Sequence, residues 1–319
     1  MIVAVSARAK GMLLATGHYR RHLAGARFPG VVVLCYHAVR PDSAPAGSYP
    51  YEQLHVRASE LAAHCELIAR SCTPITLQDF RQAVLEGSPL PPRPVLVTFD
   101  DGYRSVPTLA APILERYGVP AVFFVCSASI AERRLLWYDA IARRGAEVDA
   151  QQAKRLPFAA WRRLDLDLRT PVADDDPLAP MTVGEVGTLA ARPLFEFGAH
   201  TASHPILAQA PLADQRDQIV TCVRAVEEWT KKSVTAFAYP NGEPGVDYTG
   251  ETVALLRDAQ LSVAFTTHSG YAGAGAPALE QPRFLMLAGV SPSELAHRLA
   301  YSWRRTAVSA PRDAVDAPA

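Results

Sequence analysis

Short apolar runs alternate with segments of helical periodicity along this chain. Strand-length apolar runs occupy residues 31–36, 94–99, 121–125 and 194–197, followed by shorter ones at 237–239 and 263–266. Helical segments lie between them; one starts at Thr182, with Glu185 three residues later as in a capping box. Alternation of buried strands with helices is typical of a parallel sheet that is covered by helices. We therefore predict an α/β fold.

The length of the chain fits one catalytic domain with extensions. Its 319 residues exceed a single (β/α) barrel of about 250 residues by a modest margin. We assign residues 29–290 to this domain, with an insertion at about 145–180. The insertion ends in an acidic triplet, which we expect to be a solvated loop rather than a cation site. Residues 291–306 are predicted as a closing helix and residues 307–319 as a disordered tail.

Residues 1–28 are basic. They contain no acidic residue and five basic ones, Arg8, Lys10, Arg20, Arg21 and Arg27. We expect a solvated helix, and a basic helix lying on an anionic membrane surface is the alternative. The apolar stretch at residues 12–15 is too short for a signal peptide. We therefore expect a cytoplasmic protein, with peripheral contact at the inner membrane surface left open.

Composition excludes several classes of function. Lys and Arg total 32, and so do Asp and Glu, so no bulk positive field would attract nucleic acid. No apolar run approaches the ~20 residues of a membrane-spanning helix. The five cysteines are scattered, without a CxxC pair, which is not the pattern of a disulfide framework. Composition says nothing about the oligomeric state.

Two adjacent carboxylates follow the predicted strand at residues 94–99. Asp100 and Asp101 precede Gly102 at the strand exit, where α/β sheets place their functional sites. Successive side chains on a strand diverge, so one acid can ligate a metal while the other handles a proton. A helix start with two acids followed by a glycine is the structural alternative.

Two imidazoles follow the strand at residues 194–197. His200 and His204 lie four residues apart, and Pro205 stiffens the bend after them. Together with a carboxylate from the upstream pair, they predict a site for one divalent metal ion with open positions, which is a catalytic rather than a structural arrangement. Zinc suits this donor set best, and cobalt, nickel or iron would also fit.

Residues at the ends of two further predicted strands could line the same site. Tyr239 ends the apolar run at residues 237–239, Pro240 and Asn241 follow it, and His37 follows the first strand. By itself the first group indicates only a turn. An ordinary capping histidine is as good an interpretation of His37 as a functional one.

These motifs together resemble the polysaccharide deacetylases, the NodB-like carbohydrate esterase family four. The resemblance extends over roughly residues 29–290, and the strings that carry it are LCYH at 34–37, TFDDGY at 98–103, YGVPAVFFV at 117–125, WYD at 137–139, HTASHP at 200–205, FAYPNG at 237–242 and FTT at 265–267. It implies a distorted, incomplete (β/α) barrel resembling a TIM barrel, one divalent metal, and hydrolysis of the N-acetyl group of an amino sugar.

The resemblance also implies roles for individual residues. Asp101, His200 and His204 would ligate the metal, and Asp100 would act as the general base. The backbone N–H of Tyr103 would stabilise the oxyanion, and the turn after the FAYP string would line the substrate site.

The chain departs from the family pattern in two places. Ala238 stands where many members carry the arginine that orients the base, and Arg283 resembles the substitute used by a FAYP-type subgroup. A late Leu-x-His motif, which supplies the general acid, is not visible. His37 and His268 are therefore the candidates for the acid.

We expect a metal-dependent hydrolase of C–N bonds that acts on an N-acetylated polysaccharide, oligosaccharide or lipid-linked glycan precursor. Two alternatives remain: the same fold acting on a small cyclic amide or another C–N bond, and a glycan-binding pseudoenzyme. The missing acid motif and Ala238 favour the latter. The partner is a carbohydrate substrate in the leading hypothesis.

Overall fold

Ten strands, most of them in one parallel sheet, form the core of this computed structural model, which describes residues 5–145, 148–169 and 171–303. The strands are β1 Val32–Tyr36, β2 Ala38–Arg40, β3 His55–Arg57, β4 Thr73–Pro74, β5 Pro94–Phe99, β6 Ala121–Val125, β7 Phe195–Ala199, β8 Ala236–Ala238, β9 Val263–Phe265 and β10 Phe284–Leu285.

Helices connect the strands and cover the sheet. They are α1 Ala7–Ala15, α2 His18–Ala24, α3 Ala58–Ser71, α4 Leu77–Glu86, α5 Ala111–Tyr117, α6 Ser127–Glu132, α7 Trp137–Arg144, α8 Ala150–Ala153, α9 Phe158–Asp167, α10 Val183–Ala190, α11 Leu212–Thr230, α12 Gly250–Asp258 and α13 Pro292–His297. Short 3-10 turns lie at Glu52–Leu54 and Leu207–Gln209, and π-helical turns at Val106–Ala110 and Arg298–Ser302.

The main sheet is a curled, parallel half-barrel with the strand order β10-β1-β5-β6-β7-β8-β9. β4 pairs with the first two residues of β5, and β6 pairs with the last three. β2 and β3 form a separate parallel pair. The two edges of the sheet approach each other at the bridge between Phe265 and Gln281. This architecture confirms the predicted incomplete barrel.

The central strands are apolar because both of their faces are covered. Every residue of β1, β5 and β6 is buried. On one face, the rings of Phe99, Phe123 and Phe195 form a chain of contacts at 5.8 and 5.3 Å. On the other face, a Cβ atom at Gly198 would lie 2.4 Å from the Phe124 ring, so only glycine fits. This close approach fixes the exit of β7 beside β6.

The basic N-terminal segment packs onto the domain instead of lying in solvent. Tyr19 and Leu23, four residues apart on α2, are fully buried. Lys10 pairs with Glu294 on α13 at 2.5 Å, and the Tyr19 hydroxyl lies 3.1 Å from His297 Nδ1. The expectation of a solvated helix is therefore wrong for α2, because its aromatic and apolar side chains share one face.

The predicted insertion is also more structured than expected. Helices α8 and α9 form in it, and the Trp161 ring lies 6.3 Å from the Trp137 ring. Asp174 pairs with Arg133 and Asp176 with Arg143. The acidic triplet lies in a largely exposed loop, as predicted, and two of its three carboxylates pair with arginines there.

The closing helix begins at Pro292 with Ser291 as its cap, as predicted. Its last predicted turn and the predicted tail lie outside the described residues. Within residues 5–145, 148–169 and 171–303, no helix has both the length and the apolar character that crossing a bilayer requires.

Candidate metal centre and its surroundings

Asp101, His200 and His204 meet at the carboxyl-terminal edge of the sheet. Asp101 follows β5 and His200 follows β7, with β6 between the two strands. All three side chains are buried, with 2, 2 and 6% of their surfaces exposed. The strand order thus brings together residues that are a hundred positions apart in sequence.

The distances within this triad suit a shared ion. Asp101 Oδ1 lies 3.4 Å from His200 Nε2 and 3.5 Å from His204 Nε2, which is long for hydrogen bonds. Two ligand atoms about 2.1 Å from a tetrahedral zinc ion stand about 3.4 Å apart. The three atoms therefore fit the first coordination shell of one divalent cation.

The backbone and its neighbours orient both imidazoles. His200 Nδ1 donates to the Ala238 carbonyl at 2.7 Å, which leaves the Nε2 lone pair on the side of Asp101. His204 has a left-handed φ of 60°. Its N–H donates to Thr201 Oγ1, and its carbonyl accepts from Trp137 Nε1 at 2.8 Å. These bonds hold an unfavourable conformation that turns the ring toward Asp101.

The electrostatics of the site favour the ligating forms of His204 and Asp101, whereas for His200 the carboxylates of Asp101 and Asp100 outweigh the effect of burial and raise the pKa. Burial and the neighbouring His200 lower the pKa of His204 to about 3. Burial alone would raise the pKa of Asp101, but the polar contact with His200 and the other nearby imidazoles outweigh it and lower the pKa. A neutral imidazole and an ionised carboxylate are the forms that bind metal.

Asp100 has a different partner. Arg283 Nη1 and Nη2 donate to Asp100 Oδ1 and Oδ2 at 2.8 and 2.7 Å, a bidentate pair. The Arg283 side chain is fully buried, and its Nε donates to the Thr266 carbonyl at 3.0 Å. Burial would raise the pKa of Asp100, but Arg283 more than offsets it and the pKa is lowered. Asp100 is therefore held ionised.

The two candidate acids occupy different positions. A ring nitrogen of His37, a carboxylate oxygen of Asp100 and Cys35 Sγ all lie within 4.8 Å of one another. His37 Nδ1 is buried and without a hydrogen-bond partner. His268 is exposed beyond β9, and its carbonyl accepts from the Arg283 N–H at 2.9 Å. Of the two candidate acids, His37 is therefore the one that lies beside Asp100.

Tyr103 lies in an anchored stretch of backbone beside the triad. The flanking amides of Gly102 and Arg104 donate to the carbonyls of Asp100 and Ala179 at 3.0 and 2.8 Å. The Tyr103 hydroxyl donates to Asp139 Oδ2 at 2.7 Å. Both ends of this residue are therefore fixed.

The three predicted site residues after β8 differ in their surroundings. The Tyr239 ring stacks on Tyr248 at 3.7 Å, and its hydroxyl donates to the Leu279 carbonyl. Its side chain is thus part of the core. Pro240 is buried, and Asn241 adopts a left-handed φ of 56°, where its carbonyl accepts from Thr267 Oγ1.

Sequence reasoning missed three features of this end of the sheet. Asp139 is fully buried, with its Oδ1 unpartnered, although the WYD string had drawn attention to it. His55 lies against the Tyr103 ring at 5.6 Å. Cys35 Sγ lies 3.4 Å from Asp100 Oδ2. The WYD and LCYH strings contain Asp139 and Cys35, whereas no string of the sequence indicated His55.

A curled parallel half-barrel with two imidazoles and a carboxylate at its carboxyl edge defines a class of α/β protein with a candidate metal centre. Comparison with known proteins narrows this class. The family model described as polysaccharide deacetylase matches residues 87–264, more than half of the chain. The chain therefore belongs to the polysaccharide deacetylase family, as its motifs predicted.

Individual relatives agree with this family. A curated protein of Escherichia coli strain K12, poly-beta-1,6-N-acetyl-D-glucosamine N-deacetylase, is 25% identical over 282 residues; the match covers 85% of this chain and 38% of the relative. The chain thus spans well under half of that relative's length.

Solved structures share the fold. The Streptococcus pyogenes deacetylase PplD in complex with acetate has a TM-score of 0.63 at 18% identity, covering 85% of this chain and 99% of that one. IcaB from Ammonifex degensii has a TM-score of 0.61 at 21% identity, covering 86% and 98%.

Proposed function

We propose that the protein is a metal-dependent hydrolase that removes N-acetyl groups from amino sugars of a polysaccharide, an oligosaccharide or a lipid-linked glycan. The observation that carries this proposal is the convergence of Asp101, His200 and His204 at about ligand spacing, next to an ionised Asp100. Such a set combines a cation site with a base, which amide hydrolysis requires.

In this proposal each residue of the site has one role. Asp101, His200 and His204 hold one divalent cation, zinc in the first instance, with cobalt, nickel or iron also accepted by this donor set. The bound cation would polarise the amide carbonyl and lower the pKa of a water molecule. Asp100 accepts the proton of the attacking water, and Arg283 keeps that carboxylate ionised and oriented.

The remaining steps fall to His37 and to Tyr103. The Tyr103 N–H donates to the oxyanion that forms when water adds to the carbonyl. His37 lies near Asp100 and delivers a proton to the departing sugar amine, so that acetate and a free amine are released.

The substrate class follows from the family and from relatives. The Escherichia coli relative is named for poly-beta-1,6-N-acetyl-D-glucosamine, and we extend only the N-acetylated amino sugar to this chain. The pseudoenzyme alternative loses support because Arg283 supplies the guanidinium that Ala238 lacks. No contact among the described residues specifically supports the cyclic-amide alternative.

Acetate release tests this proposal. Purified protein is chelated, reloaded with zinc or cobalt, and incubated with β-1,4- and β-1,6-linked oligomers of N-acetylglucosamine. We expect acetate to appear only with metal. Bound metal without acetate from any oligomer would contradict the glycan assignment and favour a small amide or a pseudoenzyme.

We further propose that the protein works in a reducing compartment, such as the cytoplasm at the inner membrane surface. All five cysteines are buried and free, so the observed packing includes no disulfide bond between them. Recovery of the native protein from a secreted or periplasmic fraction would contradict this location.

A further inference from the structure

Cys35 lies next to the proposed base, on the strand that pairs with β5. Its Sγ is 3.4 Å from Asp100 Oδ2, which accepts a hydrogen bond from the thiol. Only 1% of the surface of Cys35 is exposed, so bulk water does not compete for this thiol. Cys35 therefore contacts the base from inside the protein, away from any substrate.

The sheet fixes the position of this thiol. β1 pairs with β5 on one side and with β10 on the other. Cys35 is the register partner of Thr98, and its carbonyl accepts from the Met286 N–H at 2.8 Å. The Asp100 N–H donates to the carbonyl of Tyr36, the next residue of β1, at 2.9 Å. The backbones of Cys35 and of the base are therefore held against each other.

The thiol is a neutral hydrogen-bond donor. Burial raises the pKa of Cys35 well above its usual value, although the nearby Arg283 acts in the opposite direction. A protonated thiol has one hydrogen to donate, and an ionised carboxylate only accepts. The hydrogen bond therefore runs from the sulfur of Cys35 to the oxygen of Asp100.

The lone pairs of Asp100 show what this bond does to the base. Each carboxylate oxygen has about two acceptor positions. Oδ2 accepts from Arg283 Nη2 and from Cys35 Sγ, which fills both. Among the described residues, Oδ1 accepts from Arg283 Nη1 alone. Oδ1 therefore keeps one position for an incoming proton, whereas Oδ2 keeps none.

The arginine by itself does not distinguish the two oxygens. Its Nη1 and Nη2 lie 2.8 and 2.7 Å from Oδ1 and Oδ2 of Asp100, so this pair is nearly symmetric. The thiol bonds Oδ2 only. The difference between the two oxygens of the base therefore comes from Cys35.

A second metal site is the alternative interpretation of this cluster. Cys35 Sγ, a ring nitrogen of His37 and a carboxylate oxygen of Asp100 lie within 4.8 Å of one another. A metal ion would require the thiol to lose its proton. It would also stand close to the positive charge of Arg283, which repels a cation. These two costs favour a donor role for the thiol over ligation.

We propose that Cys35 is a positioning residue for the base: its thiol fills the second acceptor position of Asp100 Oδ2 and directs the proton of the attacking water to Oδ1. This inference rests on the proposed function and deepens it by assigning the oxygen of Asp100 that accepts the proton. Without the thiol, both oxygens would have a free lone pair, and the carboxylate would no longer present a single accepting atom.

Replacing the donor tests this role. Cys35→Ala removes the thiol and should lower kcat for acetate release about threefold to tenfold, the effect of losing one weak hydrogen bond to a charged group. KM should not change, because Cys35 does not reach the substrate. Cys35→Ser restores a donor and should recover most of kcat.

Cys65 provides the matched control. It is a second fully buried cysteine, on α3, and its sulfur donates no hydrogen bond to the described residues. Cys65→Ala and Cys65→Ser should keep the wild-type kcat. Wild-type kcat in Cys35→Ala would overturn the proposal. An equal loss in Cys35→Ala and Cys35→Ser would do the same, because a purely structural role does not depend on a donor.

An infrared measurement separates this inference from the proposed function. Subtracting the spectra of Cys35→Ser and of Cys65→Ser from that of the wild type isolates the S–H stretching band of each cysteine. A hydrogen bond to an ionised carboxylate should place the Cys35 band at the lower frequency, and Asp100→Asn should raise that frequency. This result would support the donor role even if no acetate is released.

Two other results would overturn the donor role whether or not the protein is a deacetylase. The first is coincident bands for the two cysteines. The second is a second zinc ion per chain that Cys35→Ser removes, because the thiol would then be a metal ligand.

Discussion

Asp100 and Asp101 are neighbours in the chain, but they belong to two different halves of the site. Both oxygens of Asp100 accept from the guanidinium of Arg283 at 2.7–2.8 Å. Asp101 instead faces two imidazole nitrogens at 3.4 and 3.5 Å. Asp100 is already paired with a positively charged side chain of the protein. Asp101 is instead placed to bind a metal ion together with the two imidazoles.

This difference shows how one strand exit can supply two chemistries. Adjacent side chains diverge from a strand end, and the left-handed φ of 77° at Asp101 turns it away from its neighbour. An arginine-paired carboxylate stays ionised and can accept a proton, while a carboxylate beside two imidazole nitrogens suits a metal. Substitutions at four positions test the distinction, in decreasing order of expected effect.

Exchanging each aspartate for asparagine separates the two halves most sharply. Asp101→Asn should lose bound zinc and reduce kcat about a thousandfold or more, because the cation contributes several kcal/mol of transition-state stabilisation. Asp100→Asn should retain zinc and lose about a hundredfold to ten-thousandfold in kcat. Zinc content and acetate release are measured on the same samples.

Asp217→Asn is the matched control, since Asp217 is exposed on α11, and it should behave as the wild type. Equal loss of zinc in Asp100→Asn and Asp101→Asn would show that both carboxylates are ligands and that the proposed base is misassigned.

Replacing Arg283 tests the half of the site that contains Asp100 and its arginine partner. Arg283→Ala leaves a buried carboxylate without its partner, which costs about 3–5 kcal/mol of unfolding free energy. We expect kcat to fall as well, because Asp100 loses its orientation. Urea unfolding and kcat are the measurements.

Arg283→Lys distinguishes charge from geometry. It keeps a positive charge but cannot form the two parallel hydrogen bonds, so it should recover part of the stability and less of the activity. Wild-type kcat in Arg283→Ala would contradict the positioning role.

Asp139 provides a third buried carboxylate that has neither an arginine partner nor a metal partner. Burial raises the pKa of Asp139 to about 8, against about 3.9 in the unfolded chain. The folded state therefore holds an extra proton between these values, and stability falls as the pH rises from about 4 to about 8. The slope from this group is at most about 1.4 kcal/mol per pH unit.

Asp139→Asn should flatten this dependence, because an amide does not titrate and can still bond the Tyr103 hydroxyl. The measurement is urea unfolding of the chelated proteins at pH 5 and pH 7.5. The same pH dependence in the variant and in the wild type would show that Asp139 is ionised in the folded state.

Much of the fold and of the centre could be predicted because both depend on local patterns. Apolar runs gave β5 and β6 to the residue, and the rule that parallel strands place polar residues at one edge brought Asp101 and His200 together. Arg283 could be expected only from the family resemblance. Its contact with Asp100 depends on β10 lying beside β1, which no local pattern encodes.

The remaining features depend on packing between distant segments. Whether the Tyr51 ring reaches the Tyr138 ring, 6.0 Å away, is decided by how the loop at 41–51 and α7 lie against each other. The burial of Trp161 depends in the same way on α9 folding back over α7. Such contacts follow from side-chain shape across the domain rather than from periodicity along the chain.

The pairing of Arg283 with Asp100 has a consequence for synthesis of the protein. The two residues are 183 positions apart, and β10 can join β1 only after the stretch of chain between them has been made. Contacts between such distant residues form late, because the entropy of closing the loop must first be overcome. A nascent chain would therefore hold Asp100 without its guanidinium until Arg283 has been synthesised and β10 has paired with β1.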